Sequence, residues 1–134
     1  MSESGIGWPV YERLARADPS RLTTPERMLV AFGGVREAVN NGGFDQYFFN
    51  SAGDLAMEAV EASVRAGELE LADLLRRALA VLGDGVYSND RDARQRAFVG
   101  VIDPEAFQGL DEEFFRLEER RNLDAAMDLL AGGT

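Results

Sequence analysis

Carboxylates, guanidinium groups and phenols are the ionisable side chains this chain can bring to chemistry: 24 acids, 14 cations and 3 tyrosines, with no cysteine and no histidine. The cations are all arginine, which reflects either selection for bidentate carboxylate pairing or a coding bias. Without histidine the commonest general base and transition-metal ligand is missing. Without cysteine there is no thiol or disulfide chemistry, and without lysine no Schiff base. Two carboxylates can do acid–base work when burial raises one pKa, but the pattern singles out no such pair. The loop residues Asp84, Ser88, Asn89, Asp90 and Asp92 lack the central glycine and terminal glutamate of a calcium loop. The expectation is a protein that is not an enzyme and carries no metal and no cofactor.

The acids are then the natural currency of function. They gather as Glu58 with Glu61, as Glu68, Glu70 and Asp73, and as Asp111, Glu112, Glu113, Glu118 and Glu119. A net charge of −10 disfavours direct contact with nucleic acid or an anionic membrane and favours a basic partner. Arg91, Arg94 and Arg96 are diluted by Asp90 and Asp92 and make no basic patch. As a set the acids permit imitation of a nucleic-acid backbone. One acid per helical turn is a charge every ~5.4 Å, against one per ~1.7 Å along duplex DNA, so a single helix is about threefold too sparse. Imitation therefore requires acids from two or three helices, or from two subunits, on one face.

The elements that must position these acids read as helices. Residues 10–17 carry Val10, Leu14 and Ala17 at helical spacing, ended by Asp18-Pro19-Ser20. Thr23 and Glu26 have capping-box spacing, with Thr24 before Pro25 as an alternative cap. Met28, Phe32, Val35 and Val39 follow as one stripe. Gly33-Gly34 inside it means a closely packed neighbour or a break, and Asn40-Asn41-Gly42-Gly43 reads as a stop. A short helix over 44–51 puts Phe44, Tyr47 and Phe48 on one face and Gln46 with Asn50 on another. Asp54 is the candidate cap of a helix with Met57, Val60 and Val64 inward. Residues 68–82 are amphipathic, with Leu71, Leu75, Ala78, Leu79 and Leu82 inward. Shorter helices are expected over 92–99 and near Phe107, then a helical region over 110–130 with one stripe at Leu110, Phe114 and Leu117 and an offset one at Leu123, Met127 and Leu130; between them the charges at 118–122 mean either a break or charged side chains crossing a partly buried seam. The only apolar β-branched run, 98–102, is too short to argue for a sheet. The fold expected is all-α, one compact domain over 1–134 with about six to eight helices, loosely ordered at 1–9 and 131–134. The N-terminus lacks a basic segment followed by an apolar one, and no apolar run approaches ~18 residues, so a cytoplasmic location is expected.

The window Asn41-Gly42-Gly43-Phe44-Asp45-Gln46-Tyr47-Phe48-Phe49-Asn50-Ser51-Ala52-Gly53 stands apart from an ordinary helical sequence. It resembles the signature of the DNA-mimic protein 19 family, approximately N-G-G-F-x-Q-[YF]-[FL]-x-N-[ST]-x-G. Asn41, Gly42, Gly43, Phe44, Gln46, Tyr47, Phe48, Asn50, Ser51 and Gly53 match it. A second segment, from Phe107 to Phe114, is similar to that family's late Leu-Asp-x-x-[FY] stretch. The resemblance implies an all-α fold and, for the characterised type, a dimer whose acidic face occupies the DNA-binding surface of a transcription factor. The motif residues themselves read as structural: glycines for a tight turn, aromatics for the core, and Asn, Gln and Ser to satisfy helix ends.

These readings converge on an acidic interaction protein for a basic, DNA-binding partner, acting by DNA mimicry in transcription regulation. Asp111, Glu112, Glu113, Glu118 and Glu119 are the first candidate contacts, and Glu68, Glu70 and Asp73 the second. Two alternatives stand beside it. One is an immunity-type inhibitor of a basic toxin. The other is a helical small-ligand protein using Gln46, Tyr47 and Asn50, which a deep cavity beside that helix favours.

Overall fold

Capping chemistry and helical periodicity set the element order. The computed structural model describes residues 5–82, 87–98 and 103–132. Seven α-helices follow one another: α1 (Gly7–Ala15), α2 (Thr24–Phe49), α3 (Ala56–Arg65), α4 (Leu69–Leu82), α5 (Arg91–Phe98), α6 (Gln108–Arg120) and α7 (Leu123–Gly132). Single 3₁₀ turns at Pro19–Arg21, Ser51–Leu55 and Pro104–Phe107 join them, and no strand occurs among the described residues. The expected all-α single domain is thus observed, with seven helices among the described residues.

The start of α2 is the capping box expected. Thr23 Oγ1 accepts the Glu26 N–H at 3.3 Å, and Glu26 Oε1 accepts the Thr23 N–H at 2.8 Å. Helix α2 then runs through the middle of the molecule and touches α1, α3, α5, α6 and α7. Gly33 does not break it. A Cβ there would lie 2.4 Å from the Tyr11 ring, so the glycine lets α1 lie close against α2. The stop expected at residues 40–43 is narrower than the sequence suggests. Asn40, Asn41 and Gly42 remain helical, and the axis breaks only at Gly43, with φ 79° and ψ 179°. That region of backbone space is accessible essentially to glycine alone. One residue suffices for the bend, so the asparagines stay on the helix surface.

Four other expectations are corrected. Helix α1 starts earlier than residue 10 and buries Gly7, Tyr11 and Leu14, while Ala17 is exposed. Residues 7–9 and 131–132, expected to be loose, are helical. Gly7 packs so tightly on α7 that a Cβ would meet the Met127 carbonyl carbon at 2.6 Å, and its N–H donates to Asp128. In α3 the face is largely inverted: Met57 and Val64 point to solvent, Val60 packs on the core only partly buried, and Ala56, Ala59, Ala62 and Ser63 point inward. Close approach of α3 to α2 and α4 selects the small side chains, whatever the larger ones would gain by burial. Asp54 caps nothing; it lies in the 3₁₀ turn and its carboxylate is taken by Arg91 and Arg94.

The interruption at 118–122 is a real break between α6 and α7, with Arg121 extended and the Asn122 side chain accepting the Ala125 N–H. Of the two expected stripes, Phe114 and Leu117 are buried and Leu110 is partly buried on one side of it, and Leu123, Met127 and Leu130 are buried on the other. The apolar run 98–102 lies, beyond Phe98, outside the described residues. At the centre, Phe44, Tyr47, Phe48, Phe98, Phe107 and Phe114 pack ring to ring at centroid distances of 5.0–6.3 Å, the range of favourable edge and offset contacts.

Candidate functional site

Helices α4 and α6 lie side by side and bring carboxylates from separate parts of the chain onto one seam. Glu68 stands just before α4, Glu70 and Asp73 lie in its first turns, and Glu112 and Glu113 come from α6. Arginines interleave with them. Arg121 takes Glu68 with two hydrogen bonds of 3.0 Å, and Arg120 grips Glu70 with both of its terminal nitrogens. Arg77 bridges the helices, donating to Asp73 at 2.9 Å and to both oxygens of Glu113 at 2.9 Å. Arg116 stands 3.7 Å from Glu112. The Glu113 carboxylate raises the Arg77 pKa above the arginine range, and Arg77 in turn holds Glu113 below the usual carboxylate value. Arg120 does the same to Glu70. Five carboxylates therefore face four guanidinium groups, and the seam is close to neutral.

The remaining candidates lie elsewhere on α6. Glu118 is half-buried and forms a fork with Arg36 of α2 at 2.7 and 2.8 Å, while Asn40 donates to it at 2.9 Å. Asp111 accepts the Phe44 N–H at 2.8 Å, replacing the helical bond lost at the Gly43 break. Burial and the neighbouring Asp45 raise the Asp111 pKa against the lowering effect of that hydrogen bond. Glu119 is exposed and has no partner among the described residues. Of the eight acids chosen from sequence, five share the seam, two hold α6 to α2, and one is free.

Two arginines organise the interior: Arg36, which no sequence pattern marks, and Arg94, which the sequence offers only as part of a candidate basic patch. Arg36 joins Glu118 of α6 and Asp124 of α7, and lies 5.2 Å over the Trp8 ring. Desolvation pulls its pKa down, but the hydrogen bonds to Glu118 and Asp124 outweigh this and the net shift is upward. Arg94, fully buried, donates to the carbonyls of Phe48, Asn50 and Ser88 and to the Asp54 carboxylate. It closes the C-terminus of α2. Gln95 does the same for the Phe49 carbonyl. Neither arginine carries a local signal, because most of its partners lie 40 or more positions away.

The motif window divides into two halves. Its aromatics Phe44, Tyr47 and Phe48 are wholly buried. Gly43 makes the break, and Gly53 lets its loop lie on the backbone, since a Cβ would fall 2.6 Å from the Tyr47 carbonyl oxygen. The polar residues behave otherwise. Asn41, Gln46, Asn50 and Ser51 line a half-open cleft of about 880 Å³ between the first half of the chain and the start of α5. Their side chains make no hydrogen bond among the described residues. The expectation that they satisfy helix ends is overturned: Arg94, Gln95 and Asp111 supply those partners. Tyr47 does not line the cleft; its hydroxyl is buried without a hydrogen-bond partner among the described residues, and burial raises its pKa.

The local geometry thus makes the window a bend whose glycines, aromatics and terminal glycine all have work in the fold. A family model, DMP19-like protein, matches residues 20–131, from the first 3₁₀ turn to the last helix. The chain belongs to the DMP19-like protein family. No curated protein and no solved structure matches the chain. The matched span includes α2–α6 entire, hence both the seam and the DMP19-like motif window with its cleft. Among the described residues, no acids are grouped to hold a metal ion and no helix is long and apolar enough to cross a membrane. In the loop considered for metal, Ser88 Oγ accepts the Asp90 N–H and Asp90 accepts the Asp92 N–H, so both side chains serve the start of α5; Asp84 lies outside the described residues. Of the arginines near it, Arg91 is paired with Asp54 and Arg94 is buried.

Proposed function

We propose that this chain is an acidic interaction protein that docks on a basic protein surface, of the kind that otherwise holds DNA. Family membership, the net charge of −10 and the seam between α4 and α6 support this reading. The seam carries the argument. Glu70, Asp73, Glu112 and Glu113 are exposed carboxylates on two adjacent helices, which meets the requirement that a single helix is too sparse.

The seam at rest is not a bare anionic strip, because its arginines nearly balance it. Exposed ion pairs contribute little to stability and exchange readily. A partner rich in Lys and Arg takes over these carboxylates as Arg77, Arg116 and Arg120 swing away. DNA mimicry on this reading is a property of the complex, unmasked by exchange of guanidinium partners. A homodimer, as the family resemblance implies, doubles the carboxylates offered to one partner.

The test is capture of a DNA-binding protein that duplex DNA competes away and that weakens steeply with salt. The paired substitution Arg77→Gln with Arg120→Gln then strengthens capture, and Glu70→Gln with Glu113→Gln weakens it. Indifference of capture to all four changes sinks the seam as the docking surface.

A further inference from the structure

The polar half of the motif window is unused by the fold. We propose that the cleft it lines binds an extended peptide segment carrying one basic side chain. This does not depend on the seam, which lies on other helices.

The observation is a coincidence of three things. First, Asn41, Gln46 and Asn50, joined by Asn89 from the segment before α5, present side-chain amides to one cleft of about 880 Å³, a size within the range of ligand sites. Second, those amides have no partner among the described residues, whereas the neighbouring helix ends are satisfied by Arg94, Gln95 and Asp111. Third, one carboxylate lining the cleft has no guanidinium partner among the described residues. Asp54 carries Arg91 and Arg94, and Glu58 carries Arg27. Glu37 accepts only the Tyr11 hydroxyl, at 2.9 Å, through one of its oxygens.

The chemistry selects the ligand. A side-chain amide offers a donor and an acceptor together, which is the complement of a peptide group. Several of them around one cleft match successive peptide units of an extended chain. Small residues on the lining, Gly34, Ala38 and Ala52, allow a backbone to approach closely. Anionic ligands are disfavoured, since Arg27 and Arg91 are already paired and the net charge of the lining is negative. A guanidinium or ammonium on the ligand finds the open oxygen of Glu37, giving a charge-assisted hydrogen bond. Gly42 helps to set the amide positions. A Cβ there would fall 1.8 Å from Gln46 Oε1, so only glycine lets the Gln46 side chain fold back along the helix.

The experiment is a ¹⁵N NMR titration of the full chain with acetyl-Ala-Ala-Arg-Ala-Ala-amide and with the same peptide bearing norleucine for arginine. Saturable shifts of the side-chain amide signals of Asn41, Gln46, Asn50 and Asn89 are expected, with the arginine peptide bound about tenfold tighter. Glu37→Gln keeps the acceptor for Tyr11 and brings the two peptides to equal affinity. Gln46→Ala and Asn50→Ala each weaken both peptides by about fivefold, the loss of one hydrogen bond. Absence of saturable shifts at millimolar peptide overturns the proposal. So does equal binding of both peptides to the unaltered chain, or shifts that map to α4 and α6 instead.

Discussion

Arg94 and Arg77 are the same residue type set against carboxylates, and they do opposite things. Arg94 lies wholly inside, where it holds three backbone carbonyls and Asp54 and thereby ends α2. Arg77 lies on the surface and bridges Asp73 to Glu113 between two helices already joined by their apolar faces. Burial makes the difference. Inside, each donor is matched to a group that has no water to fall back on, so removing one partner strands the rest. Outside, water and salt replace either partner. The interior arginines therefore belong to the fold, and those of the seam are free to be exchanged for a partner's.

The sharpest way to break that contrast is Arg94→Met, which leaves the carbonyls of Phe48, Asn50 and Ser88 without their donor. It is expected to cost about 3 kcal/mol in chemical denaturation. A loss no larger than that of a surface substitution would remove the distinction. Next comes Gly43→Val. A β-branched residue resists φ 79° with ψ 179°, and its Cβ would fall 2.6 Å from Asp111 Oδ2. The expected cost is about 2–3 kcal/mol, and unchanged melting refutes the assignment of the bend.

A smaller effect sharpens the intermediate case of Asp111. Asp111→Ala removes the acceptor of the Phe44 N–H and is expected to cost about 1 kcal/mol. Asp111→Asn keeps the acceptor and is expected to be neutral near pH 7. The pH dependence follows from the sign of the shift. The folded pKa of Asp111 is raised, so the native state holds this proton more tightly than the unfolded chain does. Its contribution to stability falls as pH rises from the unfolded toward the raised folded value, and is fully recovered below the unfolded value. Asp111→Asn abolishes that slope, which a series of denaturation curves from acidic to neutral pH reads directly. Smallest of all is Arg77→Gln, for which thermal melting is expected to stay unchanged. A marked drop in melting temperature would make the seam a structural device and weaken its role in docking.

Much of the architecture was readable in advance, and the reasons differ by element. The capping box at Thr23 and Glu26 is a local reciprocal bond, complete within four residues, so spacing alone announced it. The apolar stripes of α4, α6 and α7 were equally plain, because each is a repeated pattern with no competitor. Helix α3 was misread because alanines and large aliphatics both recur at helical spacing there. Which face turns inward depends on how near α2 and α4 approach. The roles of Asn41, Gln46 and Asn50 were misassigned for a related reason. Polar residues beside a helix break are the natural caps until distant groups, here Arg94, Gln95 and Asp111, reach the same backbone atoms first.

Composition and periodicity alone determined that this chain is an acidic helical domain with an aromatic bend at its middle, since those properties reside in neighbouring residues. Tertiary structure alone decided which carboxylates are spent on arginine, which amides stand idle along a cleft, and which side of α3 is interior. Each of those outcomes depends on distances between segments far apart in the chain, and pairwise electrostatics and close packing change sharply over a few ångströms.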